Sequence, residues 1–572
     1  MSACAACVGR APAPDASEAP RTFYTVTAEI ALSRHQARIA ALEYAAAAET
    51  GNDVGLLRRA ADVTAQCLQP SLTVAVANRW IQVDPTAVDA HRAAARAALE
   101  LHRIEQSAAQ YRIVLESSAR GADAEFGALE TELAAVDNVY GARQLADRMA
   151  AYFPASKPAL RIQAFAALRA DDPAAAVRTF EAALAVPGEG SPRAERPGVG
   201  PGEPPRDAAG ANSSPDPERR DLLRGLWRAR VLAGDPDEPL ALALQLLERD
   251  DTAENRLNYA LLLLAAQQNA AARVQLTFLA QQPESRAVAL RLLGLVEFRE
   301  GKLDEASASF AELVTTGKFL DEALYYLGAI AERHRDMERA LRLYAQVQSG
   351  ENAVPALLRA AAILRARGAA AAAEQLLDQL VQAEPQRVPE ILTARARLYA
   401  EGGDLPKAVT VLDRGEQEYP DSVELRYAMA SMSQEQGKTA AALRELKAVV
   451  ARRPADPAAL NAYGYTLADN NRQLRTARAL IERAYAAAPN NAGILDSMGW
   501  VLFRQGHAER ALDYLIAAYA DDRGGDIAAH LGEVLWRLGR RADAERTWSD
   551  ASTADPDNHL LNSTRVRLHA AH

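Results

Sequence analysis

The chain is poor in cysteine and lysine and has no long apolar run, and each shortage closes off a class of proteins. Only Cys4, Cys7 and Cys67 occur in 572 residues, which excludes a disulfide-stapled scaffold. Cys4 and Cys7 form a C-x-x-C, but structural zinc needs a second ligand pair, and Cys67 has no nearby histidine. Cys67 reads instead as a small core residue. No stretch of eighteen apolar residues occurs, so no transmembrane helix is expected. Lysine stands only at 157, 302, 318, 407, 438 and 447, so arginine, scattered along predicted helices, carries the basic charge. With a net charge of −10 and no basic stripe, a nucleic-acid partner is not expected. No G-x-S-x-G, Gly-rich phosphate loop or H-E-x-x-H is found, and the histidines are scattered; His91 and His102 alone share a predicted helix face. No catalytic residue, metal or cofactor is expected.

A period fills the C-terminal half. Ala306, Ala340, Ala373, Ala408, Ala442, Ala477, Ala511 and Ala544 recur at intervals of 33, 34 or 35 residues. Four residues after each comes a large apolar side chain: Phe310, Tyr344, Leu377, Leu412, Leu446, Ile481, Leu515 and Trp548. Pro385, Pro420, Pro454, Pro489 and Pro556 close most units, and Gly294, Gly328, Gly464, Gly499 and Gly532 stand in their first helices. Glycine or alanine lets two helices approach closely, the large residue plugs the gap, and proline stops the second helix. With this spacing the chain resembles the tetratricopeptide repeat. The expected fold is all-α, a tetratricopeptide-repeat superhelical solenoid in which each unit contacts only its neighbours.

Residues 1–21 are small and proline-rich and read as a flexible tether. A degenerate array follows over 22–186, with proline at 85, 154 and 187. Residues 187–219 change abruptly to Pro, Gly, Ser and charge, predicting a disordered insertion and hinge. The main array covers 220–556, and 557–572 supply a capping helix and tail. Ser2-Ala3-Cys4 resembles the end of a bacterial lipobox, which makes Cys4 the lipidation candidate and Met1 an internal start with a signal segment left off. The other reading is a cytosolic start.

The inner surface of such a stack is lined by first helices, at positions close to the repeat glycines. In the last three units these are Asn461, Tyr465 and Asp469, then Asp496, Trp500, Phe503 and Arg504, then Glu533, Trp536 and Arg537. Two tryptophans and a phenylalanine fringed by charge predict a groove for an extended peptide or a partner helix. The competing reading is that Trp500 and Trp536 only fill space between helices. The Lys/Asn/Asn/Lys/Arg clamp by which some repeat modules grip a C-terminal carboxylate is absent.

The segments 461–469, 494–504 and 530–536 resemble the C-terminal repeats of Gram-negative tetratricopeptide outer-membrane lipoproteins of the LbcA type. That resemblance implies a non-catalytic adaptor facing the periplasm, bound to a carboxyl-terminal processing protease and presenting substrates such as peptidoglycan hydrolases. The alternatives are a scaffold for an envelope assembly or exopolysaccharide export machine, and a cytosolic scaffold.

Overall fold

The computed structural model describes residues 18–49, 51–136, 138–186, 217–556 and 558–570. Cys4, most of the expected tether and most of the expected insertion lie outside the described residues. Their last residues, 18–21 and 217–219, open helices α1 (Glu18–Ser33) and α11 (Pro217–Leu232). Among the described residues there are thirty-one α-helices and no strand.

Helices come in antiparallel pairs because the repeat spends its small residues on close approach. All eight periodic alanines are fully buried, and so are seven of the eight large residues that follow, Leu446 keeping 3 % exposure. Each such large side chain contributes about 1.5–3 kcal/mol by burial. In the pair α27 (Ala492–Arg504) and α28 (Ala508–Asp521), a Cβ on Gly499 would lie 2.6 Å from Leu515 Cγ. In α29 (Gly525–Arg537) and α30 (Arg541–Ala554), a Cβ on Gly532 would lie 1.9 Å from Trp548 Nε1. Gly294, Gly328 and Gly464 meet Phe310, Tyr344 and Ile481 in the same way. The glycine and the large residue are therefore one contact, repeated. First helices start on polar caps: Ser422, Asp456 and Asn491 accept backbone N–H bonds at the starts of α23 (Val423–Glu435), α25 (Pro457–Asp469) and α27.

Between α1 and the end of α10 (Pro173–Ala185) lie five helix pairs. The step from α10 to α11 departs from expectation. Where a hinge was expected across the insertion, Phe180 of α10 lies against Gly225 of α11, with 2.5 Å between its ring and a hypothetical Cβ. Leu222, Leu226 and Ala229 join the core of Ala176, Phe180 and Ala183. The stack runs on without a break because Gly225 admits the ring.

A second departure concerns the expectation that units touch only their neighbours. The superhelix winds far enough for its first turn to meet its second. Gln69 Nε2 donates to Glu418 O at 2.8 Å, the backbone N–H of Ser71 to Asp421 at 3.2 Å, and the backbone N–H of Arg38 to Glu418 at 2.9 Å. Leu68 packs into the cluster of Val388, Leu412 and Tyr419, and Tyr140 into the C-terminal cluster. Loops inside the early pairs thus meet loops between the later ones.

Candidate functional site

The ten residues expected on the inner wall lie on α25, α27 and α29, but they are covered to very different degrees. Asp496, Trp500 and Glu533 are buried, at 6, 5 and 5 % exposure. Asn461, Tyr465, Phe503, Arg504 and Trp536 are half-buried, and Asp469 and Arg537 are exposed. In α29 every residue from Ile527 to Leu535 is buried, so no face of that stretch is free.

The cause is a polar and aromatic cluster centred on His530, which is itself 2 % exposed. Its Nδ1 lies 3.0 and 2.9 Å from the two carboxylate oxygens of Asp496. The Tyr465 hydroxyl stands 3.4 Å from its Nε2. Trp500 stacks on the imidazole, with centroids 4.1 Å apart and planes 22° apart. Tyr465 on α25 thus touches α29 across the intervening α27, which means the curvature is tight enough for alternate first helices to meet. Burial by itself opposes a charge on His530, but the Asp496 carboxylate and its hydrogen bond, with Asp469 and Asp526 behind, raise the pKa. Burial also raises the Tyr465 phenol. With its ring sealed from solvent, His530 serves as an electrostatic staple between units.

A second staple follows one unit later. Arg567 of α31 (His559–Ala570) donates from Nη1 to Oε1 of Glu533 at 3.0 Å and from Nη2 to Oε2 at 2.5 Å. Trp536 stacks on His569 at 5.1 Å, with the Arg541 guanidinium 5.0 Å from its ring. Neither His530 nor Arg567 was singled out on sequence, yet a signal existed: each stands 34 residues after its acidic partner. Residues one period apart on first helices are neighbours in space, so acid and base at that spacing form a ladder.

Two exposed surfaces lie well apart on the stack. Arg504, whose Nη1 donates to Asp469 O at 2.9 Å, reaches a cleft of about 750 Å³ that Arg475, Arg478 and His507 also line. At the other end of the stack, Phe23, Val26 and Ile30 form an exposed stripe on α1, at 66, 53 and 45 % exposure. Ile39 and Leu42 extend it onto α2 (Ala37–Glu49), each at 44 %. Spacings of three and four residues on α1 place its side chains on one face. The stripe was not anticipated, because an apolar helical face reads as core until the neighbours are known.

Cys67 is a buried free thiol whose pKa burial pushes up to about 11, as a small core residue requires. His102 is not on the helix face of His91: α5 (Val88–Glu100) ends before it, and it sits at φ 57° in the following loop. Both rings are buried. Among the described residues no three His, Cys, Asp or Glu groups converge to hold a metal.

Comparison with known proteins agrees with the repeat. Two family models, both described as tetratricopeptide repeat, match the chain, one over residues 364–432 and the other over 291–355, 427–492 and 497–559. Neither is an enzyme family; repeats of this kind imply a protein–protein interaction scaffold with protein partners. A TPR repeat-containing protein of Pseudomonas aeruginosa is 36% identical over 217 residues, or 37% of this chain. The match spans 36% of that relative's length. Among solved structures, yeast Tom70 aligns over 96% of this chain and 99% of its own at 11% identity and TM-score 0.37. A thermophilic TPR protein of Thermus thermophilus aligns over 32% of this chain and 98% of its own, at 22% identity and TM-score 0.29. The chain is an all-α tetratricopeptide-repeat solenoid.

Proposed function

We propose that the protein is a non-catalytic adaptor of the bacterial cell envelope. It holds a carboxyl-terminal processing protease on one surface and that protease's substrates, such as peptidoglycan hydrolases, on another. Its contribution is effective concentration, since two partners on one rigid body meet far more often than free ones do. The observation that carries this reading is a continuous stack with two separate uncovered surfaces. One is the apolar stripe of Phe23, Val26 and Ile30 on α1; the other is on the C-terminal units, where Trp536 is half-buried and Arg504 lines a separate basic cleft. Exposed apolar patches rimmed by polar residues mark protein contacts. The resemblance of residues 461–536 to envelope lipoproteins supplies the partner class. Cys4 is the proposed lipid anchor and the periplasmic face of the outer membrane the proposed location.

The test is a pull-down from membrane extracts with the full chain, beside Phe23→Asp/Ile30→Asp and Trp536→Ala. Recovery of a serine protease with a carboxyl-terminal processing signature, lost in one variant but kept in the other, supports an adaptor with separate surfaces. Recovery of export or assembly components in its place overturns the protease reading and leaves a scaffold. A stop codon directly upstream of Met1 in the gene would remove the lipid anchor from the proposal.

A further inference from the structure

The seam between the two superhelical turns encloses a cavity of about 480 Å³. Its walls come from both turns: Glu100 from the end of α5 with His102 and Arg103 from the loop that follows, and Asp421 from the loop before α23 with Arg452 and Arg453 from the end of α24 (Thr439–Arg452) and just beyond it. Three guanidinium groups therefore face a carboxylate pair, and the pairing between them is poor. Arg103 and Arg452 have no carboxylate at ion-pair distance among the described residues, and Arg452 Nη1 is buried without a hydrogen-bond partner. Arg453 reaches Asp456 only at 3.6 Å, and Asp421 is already engaged by the backbone N–H of Ser71.

The carboxylates nearby offset this excess only in part. Glu100 keeps access to solvent at the mouth of the cavity, but the protein mass around it pushes its carboxyl up to about 7, against the pull of Arg96 and with a further push from Asp421. Burial, with Arg426 adding to it, lowers the pKa of Arg452 against the pull of Asp421, Glu416 and Glu445, none of which pairs with it directly.

His102 adds a directed donor. Asn138 Oδ1 accepts from the backbone N–H of Gly141 at 3.0 Å, which fixes the amide so that Nδ2 donates to His102 Nδ1, also at 3.0 Å. The imidazole proton therefore sits on Nε2, and that N–H has no acceptor among the described residues. Burial lowers the His102 pKa, so the ring is neutral and this tautomer is the one that counts.

We propose that the seam cavity binds a small oxyanion, a phosphate or a carboxylate group, bridging Arg103 and His102 of the first turn to Arg452 and Arg453 of the second. Planar guanidinium forks match such groups in geometry as well as charge. Because its donors come from both turns, the ligand fastens the superhelix closed, linking a soluble anion to the shape presented to protein partners.

The experiment is calorimetric titration of the full chain at pH 7 with sodium phosphate and, separately, sodium acetate, each matched in ionic strength against sodium chloride. Saturable binding of phosphate alone identifies a phosphate site, and saturation by acetate identifies a carboxylate site. Arg452→Gln and Arg103→Gln should each weaken binding about tenfold or more, whereas Arg475→Gln, in the other basic cleft, should leave it unchanged. Arg103 is exposed, so its variant should fold normally. Heats no larger than those of chloride, or binding equal to wild type in both seam variants, would overturn the proposal.

Discussion

Asp496 on α27 and His530 on α29 form a buried ion pair, 2.9 Å from Oδ2 to Nδ1, between two units of the stack. The His530 pKa is raised in the fold. A raised value means that the pair stabilises fully below the unfolded histidine value of about 6.5. That stability is lost as pH rises through the folded-state value. Urea unfolding of the C-terminal units should thus show lower stability at pH 9 than at pH 6, and His530→Gln should flatten the dependence. Asp496→Ala should cost about 3–5 kcal/mol at pH 6, because it strands a buried charge.

The two tryptophans should part company. Trp500 is buried against His530 and Phe503, so Trp500→Ala opens a cavity and should cost about 3–5 kcal/mol. Trp536 is half-buried, so Trp536→Ala should cost less and show itself in partner capture. Thermal melts of the two variants, read beside the pull-down, check both halves of this statement.

Gly532→Ala places a methyl group within 1.9 Å of the Trp548 ring nitrogen. Overpacking of this kind costs about 1–3 kcal/mol. The companion Trp548→Phe in the same chain should recover part of the loss, which a double-mutant cycle would measure.

Glu533 is buried and Arg567 answers it with two hydrogen bonds from a half-exposed side chain. Arg567→Ala should therefore destabilise the terminal pair by about 1.5–3 kcal/mol, the range for hydrogen bonds to a charged group. Glu533→Gln added to it should relieve much of the cost. Hydrogen exchange of α29 amides is the local readout.

Leu68 packs against residues of the second turn, some 320 positions or more along the chain. Leu68→Asp should leave helicity unchanged and open the seam, seen as a larger radius of gyration in solution scattering. No change in radius would mean that the polar contacts of Gln69 and Ser71 hold the turns by themselves.

The sequence by itself determined the repeat, its helix pairs and the contact inside each pair. Ala306 through Ala544, the large residue four positions on, and glycines such as Gly499 and Gly532 act over one period, where packing is local. Charge pairs such as Asp496 with His530 were legible in principle, because a spacing of 34 residues is again one period. Only the tertiary structure decided that Trp500 is wall and not surface, that Phe23, Val26 and Ile30 lie uncovered, and that Gln69 meets Glu418. Those facts depend on curvature and pitch, which are the sum of small rotations from one unit to the next. No single residue encodes that sum, so what touches across a full turn becomes known only when the whole coil is built.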